Sequence, residues 1–357
     1  MISQLLVNDF RNLEPLDWWP GRGSHLLLGG NGAGKTSLLE AVYVVATTRS
    51  FRATQIADCA RHGSASFRLH AEVDTDRRSS LEVLWTEGRR ERSLNGKVGP
   101  LAEHLAALPV VAWTSAEAEV LIGAPKARRR FLDRGIVGSR PAALELLGRY
   151  REALRQKREL LLQGGSAGME IWNELLAALA AEVIRLRHDY VESLRGTLLS
   201  VIQESGLPFP PVELRYRPSP VSGLDGAESI AESLEAVAEK ERRRQLPLLG
   251  PHRDELEILW GGHDIRRVAS AGERKALSLL LLAAHGRAVE AAGRSPVYLL
   301  DDADAELAPP THSAVWKVFQ GVESRQILAS SNRPQVWLTL EVGKVWEMEK
   351  GKLSLLA

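Results

Sequence analysis

An eight-residue run near the amino terminus, GGNGAGKT over 29–36, has the residue types that bind phosphate groups. It fits the pattern G-x-x-x-x-G-K-S/T, in which glycines let backbone N–H groups surround phosphate oxygens. The lysine of such a loop reaches the β- and γ-phosphates, and the last hydroxyl faces Mg²⁺. An apolar segment precedes the run and a helix is expected from about 35 to 46. The pattern therefore predicts a site for ATP and Mg²⁺ formed by Gly29, Gly30, Asn31, Gly32, Ala33, Gly34, Lys35 and Thr36.

The matching acidic residues lie far along the chain, in VYLLDDADAEL over 297–307. Asp301 and Asp302 follow an apolar strand segment, and ligands of α/β proteins bind at this carboxyl edge of the sheet. We expect Asp301 to bind Mg²⁺ and Asp302 to orient or deprotonate the attacking water, so Asp302 and Lys35 are the predicted catalytic residues. Taken alone the segment also fits a solvated strand end, but the phosphate loop favours the catalytic interpretation.

A third feature, VASAGERKALSLLLLAA over 268–284, opens a long apolar helix with a small polar turn. Ser270 and Gly272 precede Asp301 in the order and spacing of the serine–glycine signature of transporter-type and chromosome-maintenance ATPases. In those proteins the signature of one subunit closes on ATP in the other subunit's phosphate loop, so the similarity implies an ATP-dependent homodimer. A plain helix cap with Glu273 at the third position is the alternative, and both roles use the same helix end.

Hydrophobic periodicity predicts the elements that position these residues. Strands are expected at 2–8, 24–29, 66–74, 81–85 and 108–113, with a tight Asn-Gly turn at 94–97, and again near 255–260, 297–301, 326–329 and 344–348. The middle is helical, with a helix over 141–163, a long amphipathic helix through 172–201 and a proline-rich linker at 207–220. The predicted fold is α/β: a P-loop ATPase head with a mixed sheet, formed by 1–125 and 246–357, with an inserted, mostly helical second lobe over 126–245.

Composition excludes several classes of protein. The 357 residues are 44% hydrophobic and 25% charged, with a net charge of +1, so bulk electrostatics do not favour nucleic acid and any DNA contact needs a local patch. The single cysteine, Cys59, excludes internal disulfides and fits a reducing cytoplasm. The absence of a basic leader and of a membrane-length apolar run predicts a cytosolic protein with no membrane partner.

Several short runs resemble the RecF family of bacterial recombination mediator ATPases, which are related to SMC and other ABC-type ATPases. Beside the phosphate loop and the acidic strand, these runs are RSFR (49–52), RRRFLDRGI (128–136), YREALRQKRELL (150–161) and GPHRDEL (250–256). The resemblance implies an ATP-dependent DNA-binding protein of recombinational repair and replication-fork maintenance. Its head dimer would clamp duplex DNA near single-strand gaps, help to load the recombinase with RecR and RecO, and release DNA by weak, DNA-stimulated ATP hydrolysis.

Basic clusters are the candidate DNA contacts, although a solvated helix face is the alternative for each. Few aromatic residues lie among them, so we expect salt-dependent contact with the backbone of double-stranded or gapped DNA. The candidates are Arg49, Arg52, Lys126, Arg128, Arg129 and Arg130.

Three departures from the family pattern bear on turnover. Glu273 stands where the signature usually has glutamine, Ala308 where an aspartate is usual, and LASSNRP over 328–334 has no switch histidine. Two alternatives therefore stay open: another SMC-like head ATPase, for example in phage defence, and a nucleotide-gated DNA-binding module with negligible hydrolysis. A kinase is rejected, because HRD at 252–254 is not followed by the expected asparagine; no role is predicted for this loop.

Overall fold

The computed structural model describes residues 1–74, 78–164, 168–320 and 325–356. Within them the chain forms two compact units. Unit 1 comprises Met1–Ala118, Ser200–Pro208 and Ser270–Ala357, and unit 2 comprises Glu119–Leu199 and Phe209–Ala269. None of the described helices has the length and apolar character needed to cross a membrane.

The elements are numbered in chain order. The strands are β1 (Ile2–Asn8), β2 (Leu16–Trp18), β3 (Gly23–Leu28), β4 (Ser66–Val73), β5 (Ser79–Thr86), β6 (Arg89–Leu94), β7 (Val110–Trp113), β8 (Val212–Arg217), β9 (Glu255–Trp260), β10 (His263–Asp264), β11 (Val297–Leu300), β12 (Gln326–Ser331), β13 (Lys344–Glu349) and β14 (Lys352–Leu355). The helices are α1 (Lys35–Thr47), α2 (Leu101–Ala107), α3 (Ser115–Ile122), α4 (Pro125–Ser139), α5 (Ala143–Leu162), α6 (Met169–Ser205), α7 (Ala227–Arg244), α8 (Ile265–Val268), α9 (Ala271–Ala291) and α10 (Pro309–Gln320).

A six-stranded mixed sheet of unit 1 positions the predicted chemistry. Its order is β14-β13-β3-β12-β11-β7, and all neighbours are parallel except the β13–β14 pair. β11 and β12 are buried along their whole length, as central strands of a covered parallel sheet must be. The carboxyl ends of β3 and β11 both lie beside β12, so the loops that follow them meet at one edge. The predicted α/β class with a mixed sheet is confirmed.

A second sheet of unit 1 is antiparallel, with the order β2-β1-β4-β5-β6. In β4 the side chains of Phe67, Leu69, Ala71 and Val73 are buried on one face, as the alternating pattern predicts. They belong to the same apolar core as the buried side chains of α1. The core therefore fixes the helix that begins at the phosphate loop.

The Asn-Gly turn forms, but it does not join two strands. Asn95 and Gly96 have φ values of 53° and 72°, and Leu94 and Lys97 exchange two backbone hydrogen bonds of 2.9 and 3.0 Å. β6 ends at Leu94, and Lys97 makes only an isolated bridge.

Unit 2 contains most of the predicted helical pair: α5 and α6 cover 141–163 and 172–201 closely, and α6 continues into unit 1 from Ser200 onward. Their apolar faces form a core with α7, which includes Leu147, Leu176, Val183, Ile184, Ile230 and Leu234. The linker expected at 207–220 is wrong in its middle, because 212–217 is strand β8. Its prolines flank the strand instead of interrupting it, so no hydrogen bond of the ladder is lost.

Strand β9 also differs from expectation. It pairs with β8 and β10 in a three-stranded sheet of unit 2, whereas the sequence placed 255–260 in the ATPase head. Residues up to Ala269 consequently belong to unit 2, and the expected boundary at 246 differs from this division. The partner strand, which the prolines concealed, explains the difference.

Candidate active site

The phosphate loop lies between β3 and α1, as the sequence pattern requires. A Cβ atom on Gly29 would lie 2.3 Å from the Met348 carbonyl oxygen, so that position cannot hold a side chain. Gly34 has a φ of 118° immediately before α1, a conformation that favours glycine. Lys35 is only 5% exposed, and its Nζ donates to the carbonyl oxygens of Gly29 (2.8 Å) and Gly30 (3.0 Å). The ammonium group is therefore held over the loop, where phosphate oxygens would be stronger acceptors than neutral carbonyls.

The hydroxyl at the end of the loop contacts the first acidic residue. Thr36 Oγ1 donates to Asp301 Oδ1 at 2.8 Å, and Ser330 Oγ donates to the same oxygen at 2.8 Å. A hydroxyl and a carboxylate oxygen are suitable ligands for a hard divalent cation, so Thr36 and Asp301 fit Mg²⁺. The structure brings together two groups that are 265 positions apart in sequence.

Asp302 is held in an unusual backbone conformation at the edge of the site. Its φ is 47°, and its N–H donates to Ser330 Oγ at 2.9 Å. Its Oδ1 is buried and has no hydrogen-bond partner among the described residues. Burial first, and then the neighbouring charge of Asp301, raise the pKa of the Asp302 carboxyl. That oxygen is therefore an acceptor that none of the described residues uses.

The phosphate loop, Thr36 and Asp302 line one pocket of unit 1 with a volume of about 470 Å³, whereas Asp301 is not in its wall and lies behind Thr36. Predicted residues Asn31, Gly32, Ala33, Gly34, Lys35, Thr36 and Asp302 are in its wall. Sequence reasoning missed other wall residues, which are Arg11, Asn12, Ser37, Asp58, Ala60 and His62. Gly29 and Gly30 are not in the wall, but their carbonyl oxygens accept hydrogen bonds from Lys35 Nζ.

A buried carboxylate fixes the basic side of this pocket. Glu40 is fully buried in α1 and accepts from Arg11 Nε (2.9 Å) and Nη2 (2.7 Å). Ser50 Oγ also donates to it at 2.5 Å, and Arg52 approaches within 3.5 Å. The available signal was a charged residue inside the apolar helix SLLEAVYVV, because such a charge requires a buried partner.

Asn12 completes the other side of the pocket. Its Nδ2 donates to the Gly32 carbonyl at 2.8 Å, and its Oδ1 accepts from Ser37 Oγ at 2.7 Å. The turn after β1 is thereby tied to the phosphate loop, so the loop keeps its shape through side-chain contacts as well as through its glycines.

Ser270 caps the amino terminus of α9 and is exposed. Its Oγ accepts from the Glu273 N–H at 3.3 Å, and the Glu273 carboxylate accepts from the Ser270 N–H at 2.7 Å. The capping box is confirmed. Hydrogen bonds from Ser270 lower the pKa of Glu273, so the carboxylate is turned toward its own helix start. Contact of Ser270 and Gly272 with a second copy's nucleotide stays a prediction.

The DNA candidates of unit 1 have different surroundings. Arg49 is exposed. Arg52 is 46% exposed at its side chain and faces Glu40, and it lines the same pocket as the phosphate loop.

Those of unit 2 lie on α4. Lys126 and Arg130 are exposed, whereas Arg129 is half-buried and donates to the Asp254 carbonyl oxygen at 2.8 Å. Arg128 is only 3% exposed, and its Nε is 2.5 Å from Glu255 Oε1. The structure therefore argues against Arg128 as a DNA contact, because its guanidinium group is buried and already bonded to Glu255 and to the Gly123 carbonyl oxygen.

The family-type runs of unit 2 meet around one arginine. Arg187 donates to Asp133 Oδ1 through Nε (3.0 Å) and Nη2 (2.7 Å), and to Asp254 Oδ2 through Nη1 (2.8 Å). Asp254, which has no exposed surface, also accepts from the Ser219 N–H at 2.9 Å and from the Tyr216 hydroxyl. Asp133 belongs to FLD and Asp254 to GPHRD, so both runs stabilise unit 2.

The lysine of the ALRQK run forms a second buried ion pair in unit 2. Lys157 Nζ lies 2.6 Å from Glu241 Oε2, and both side chains are 1% exposed. Glu241 Oε1 also accepts from the Leu248 N–H at 2.7 Å, which ties the end of α7 to the chain that leads into the 250–254 loop.

Comparison with known proteins assigns the family. Residues 1–351 match the family described as the RecF/RecN/SMC N terminal domain. A DNA replication and repair protein RecF from Anaeromyxobacter sp. (strain Fw109-5) is 34% identical over 93% of this chain and 92% of its own. Another, from Geotalea daltonii, is 28% identical over 99% of both chains. The chain belongs to the RecF family.

Solved structures agree with this family at the level of the fold. A structure of the recombination mediator protein RecF with ATP, in the RecFOR pathway, has a TM-score of 0.88 and 24% identity, covering 100% of this chain and 97% of that one. An Smc head bound to the C-terminal winged-helix domain of ScpA has a TM-score of 0.58 and 15% identity, with 99% and 96% covered. The RecF fold, including its relation to SMC heads, is therefore shown.

Acid should destabilise unit 1 through His25 in β3. This histidine is fully buried, its Nδ1 accepts from Trp346 Nε1 at 3.2 Å, and burial lowers its pKa from 6.5 to about 4. As pH falls, His25 binds a proton in the unfolded chain before it does so in the folded chain. The contribution of neutral His25 to the free energy of unfolding is therefore complete above pH 6.5 and is lost between about 6.5 and 4.

When the pH is lowered from 7.5 to 5, the free energy of unfolding should decrease in both proteins. The decrease should be smaller in His25→Phe than in the wild type by roughly 2 kcal/mol. Urea titrations at the two pH values measure this difference, with the exposed His263→Phe as control. Identical pH dependence in wild type and His25→Phe would contradict the assignment.

Proposed function

We propose that this chain is an ATP-dependent DNA-binding ATPase of recombinational repair and replication-fork maintenance that acts in the cytoplasm. The observation that carries the proposal is one pocket lined by the phosphate loop, Thr36 and Asp302, with Asp301 bonded to Thr36 behind it. The similar RecF structure with ATP supports ATP as the nucleotide.

The pocket supplies each part that ATP hydrolysis needs. Loop N–H groups and Lys35 bind the phosphates, and Arg11 and Arg52 place further positive charge at the wall. Thr36 and Asp301 would hold Mg²⁺, which neutralises phosphate charge when bound. Asp302 accepts a proton from water while the water oxygen bonds to the γ-phosphorus and the bond to the β-phosphate oxygen breaks. The products are ADP, inorganic phosphate and a proton.

Ser270 supports the proposed role of a second copy. The start of α9 is exposed, and a helix amino terminus attracts phosphate groups. For a partner's γ-phosphate to reach this helix end, the Glu273 carboxylate, which accepts from the Ser270 N–H, must turn away. ATP would thereby join two heads, which clamp duplex DNA near single-strand gaps. The RecFOR pathway named for the similar structure supports RecR and RecO as partners.

The test combines DNA affinity with nucleotide binding. Lys35→Ala should weaken ATP binding by roughly 10- to 100-fold, because it removes a charge-assisted contact of about 1.5–3 kcal/mol. Fluorescence anisotropy of gapped duplex DNA over a salt series, with and without ATP–Mg²⁺, should then show ATP-dependent binding only in the wild type and in the exposed control Lys317→Ala.

Sedimentation of the same samples measures self-association. Wild type should dimerise with ATP–Mg²⁺ and Lys35→Ala should not. DNA affinity that is equal in every nucleotide state, or a wild type that stays monomeric at high concentration with ATP, would refute the proposal.

A nucleotide-gated DNA-binding module with negligible hydrolysis is the second candidate. It is favoured by the Glu273 carboxylate, which occupies the helix end that the partner's phosphate needs. Phosphate release assays with and without duplex DNA distinguish it, since this module would bind DNA with ATP yet release no phosphate above the Lys35→Ala level.

A further inference from the structure

The start of α9 and the acidic turn of the same chain are joined by one buried lysine. Lys275 is 9% exposed and lies five positions after Ser270, which corresponds to about 7.5 Å along a helix axis. Its Nζ donates to the carbonyl oxygen of Asp302 at 3.2 Å. The residue therefore connects the helix end proposed to meet a partner's ATP with the residue proposed to activate water in its own site.

Further contacts fix Lys275 in this position. Its Nζ is 4.8 Å from the centre of the Trp113 ring, a cation–π contact. Trp113 Nε1 donates to Ser278 Oγ at 3.0 Å, and Ser278 Oγ donates to the Lys275 carbonyl at 2.7 Å. The Trp113 carbonyl accepts from the Asp301 N–H at 3.1 Å. The link consequently runs from α9 through the end of β7 to both aspartates.

The backbone at Asp302 needs such support. Its φ of 47° is left-handed and costs free energy for a residue with a Cβ. Ser330 Oγ accepts from its N–H and Lys275 donates to its carbonyl, so both flanking peptide groups are held. A carboxylate on a fixed backbone keeps its direction toward the pocket, and small displacements of a catalytic group have large effects on rate.

We propose that Lys275 is a positioning residue that transmits the state of the Ser270 helix end to Asp302, so that hydrolysis follows when α9 is held by a second copy's nucleotide. This inference rests on the proposed function of Asp302 and Ser270. It adds a route within one chain by which self-association and turnover are coupled.

Lys275→Met tests the proposal because it removes the donor and the charge while keeping the length of the side chain. The expected result is a fall in kcat of roughly tenfold or more, with ATP affinity within threefold of wild type and ATP-dependent dimerisation retained. Lys275→Arg, which keeps a donor and a positive charge, should recover part of kcat. The exposed Lys317→Met on α10 is the matched control.

Unchanged kcat in Lys275→Met, or a loss of ATP affinity equal to the loss of kcat, would overturn the coupling role. If Lys275→Met fails to fold, Ser278→Ala tests the proposal, because it breaks the hydrogen bond to Trp113 without removing the lysine. Ser278→Ala should lower kcat and leave ATP affinity unchanged. An unchanged kcat in this variant would refute the link. A wild type that neither binds nor hydrolyses ATP would instead refute the proposed function itself.

Discussion

Arg187→Ala is expected to lower the free energy of unfolding of unit 2 by about 3–5 kcal/mol, the cost of breaking a buried ion pair from one side. The guanidinium group contacts Asp133 and Asp254, and it also donates to the Pro251 carbonyl at 2.6 Å. Burial already raises the pKa of Asp254 with Arg187 beside it. Without the arginine, that carboxylate would be left in the interior without an opposite charge.

Urea denaturation followed by circular dichroism measures this loss. Arg185→Ala, an exposed arginine on the same helix, should change the unfolding free energy by less than about 0.5 kcal/mol. Arg187→Lys should rescue little, since an ammonium group cannot contact both carboxylates with the geometry of a guanidinium fork. Equal stabilities for Arg187→Ala and Arg185→Ala would show that the network contributes nothing.

Asp302→Asn is expected to reduce ATP turnover by roughly 10²- to 10⁴-fold, the range for loss of a general base. The amide has nearly the shape of the carboxylate, and asparagine tolerates the left-handed backbone at this position. It cannot accept the proton of the attacking water. ATP binding and ATP-dependent dimerisation should therefore persist, and DNA should dissociate more slowly than from the wild type.

Single-turnover hydrolysis, equilibrium ATP binding and DNA dissociation rates test each part of this expectation. Asp225→Asn, at an exposed position of unit 2, is the control for a change of charge alone. Turnover at the wild-type level would assign proton transfer to another group. A parallel loss of ATP binding would show that Asp302 supports the nucleotide and not the reaction.

The chemical residues were predictable because their signals are local. A glycine loop between strand and helix, or two aspartates after an apolar strand, can be recognised in about ten residues. The partners of Glu40 could not be found in this way, since Arg11 and Ser50 lie in other segments and no periodicity encodes their contact. Buried charge pairs of this kind depend on the folded topology.

The sequence contained evidence that Arg128 is buried, but the basic residues around it favoured the opposite interpretation. Its neighbours on α4 suggested a basic surface, yet Phe131, Leu132 and Ile136 follow it at the spacing of one buried helix face. Helical periodicity alone indicated that Arg128 faces the interior. Proline content misled in a similar way at β8, where the prolines stop at both ends of the strand.

The runs FLD, ALRQK and GPHRD resemble the family most specifically, and each contributes one partner to an ion pair of unit 2 whose other partner is buried. They contribute nothing to the wall of the ATP pocket. Family membership that is recognised from these runs therefore indicates a shared fold. It does not indicate that the protein hydrolyses ATP. A family member whose phosphate loop had lost its glycines or its lysine would still carry these runs. ATPase activity of a member therefore depends on the residues of the phosphate loop and not on the runs that identify the family.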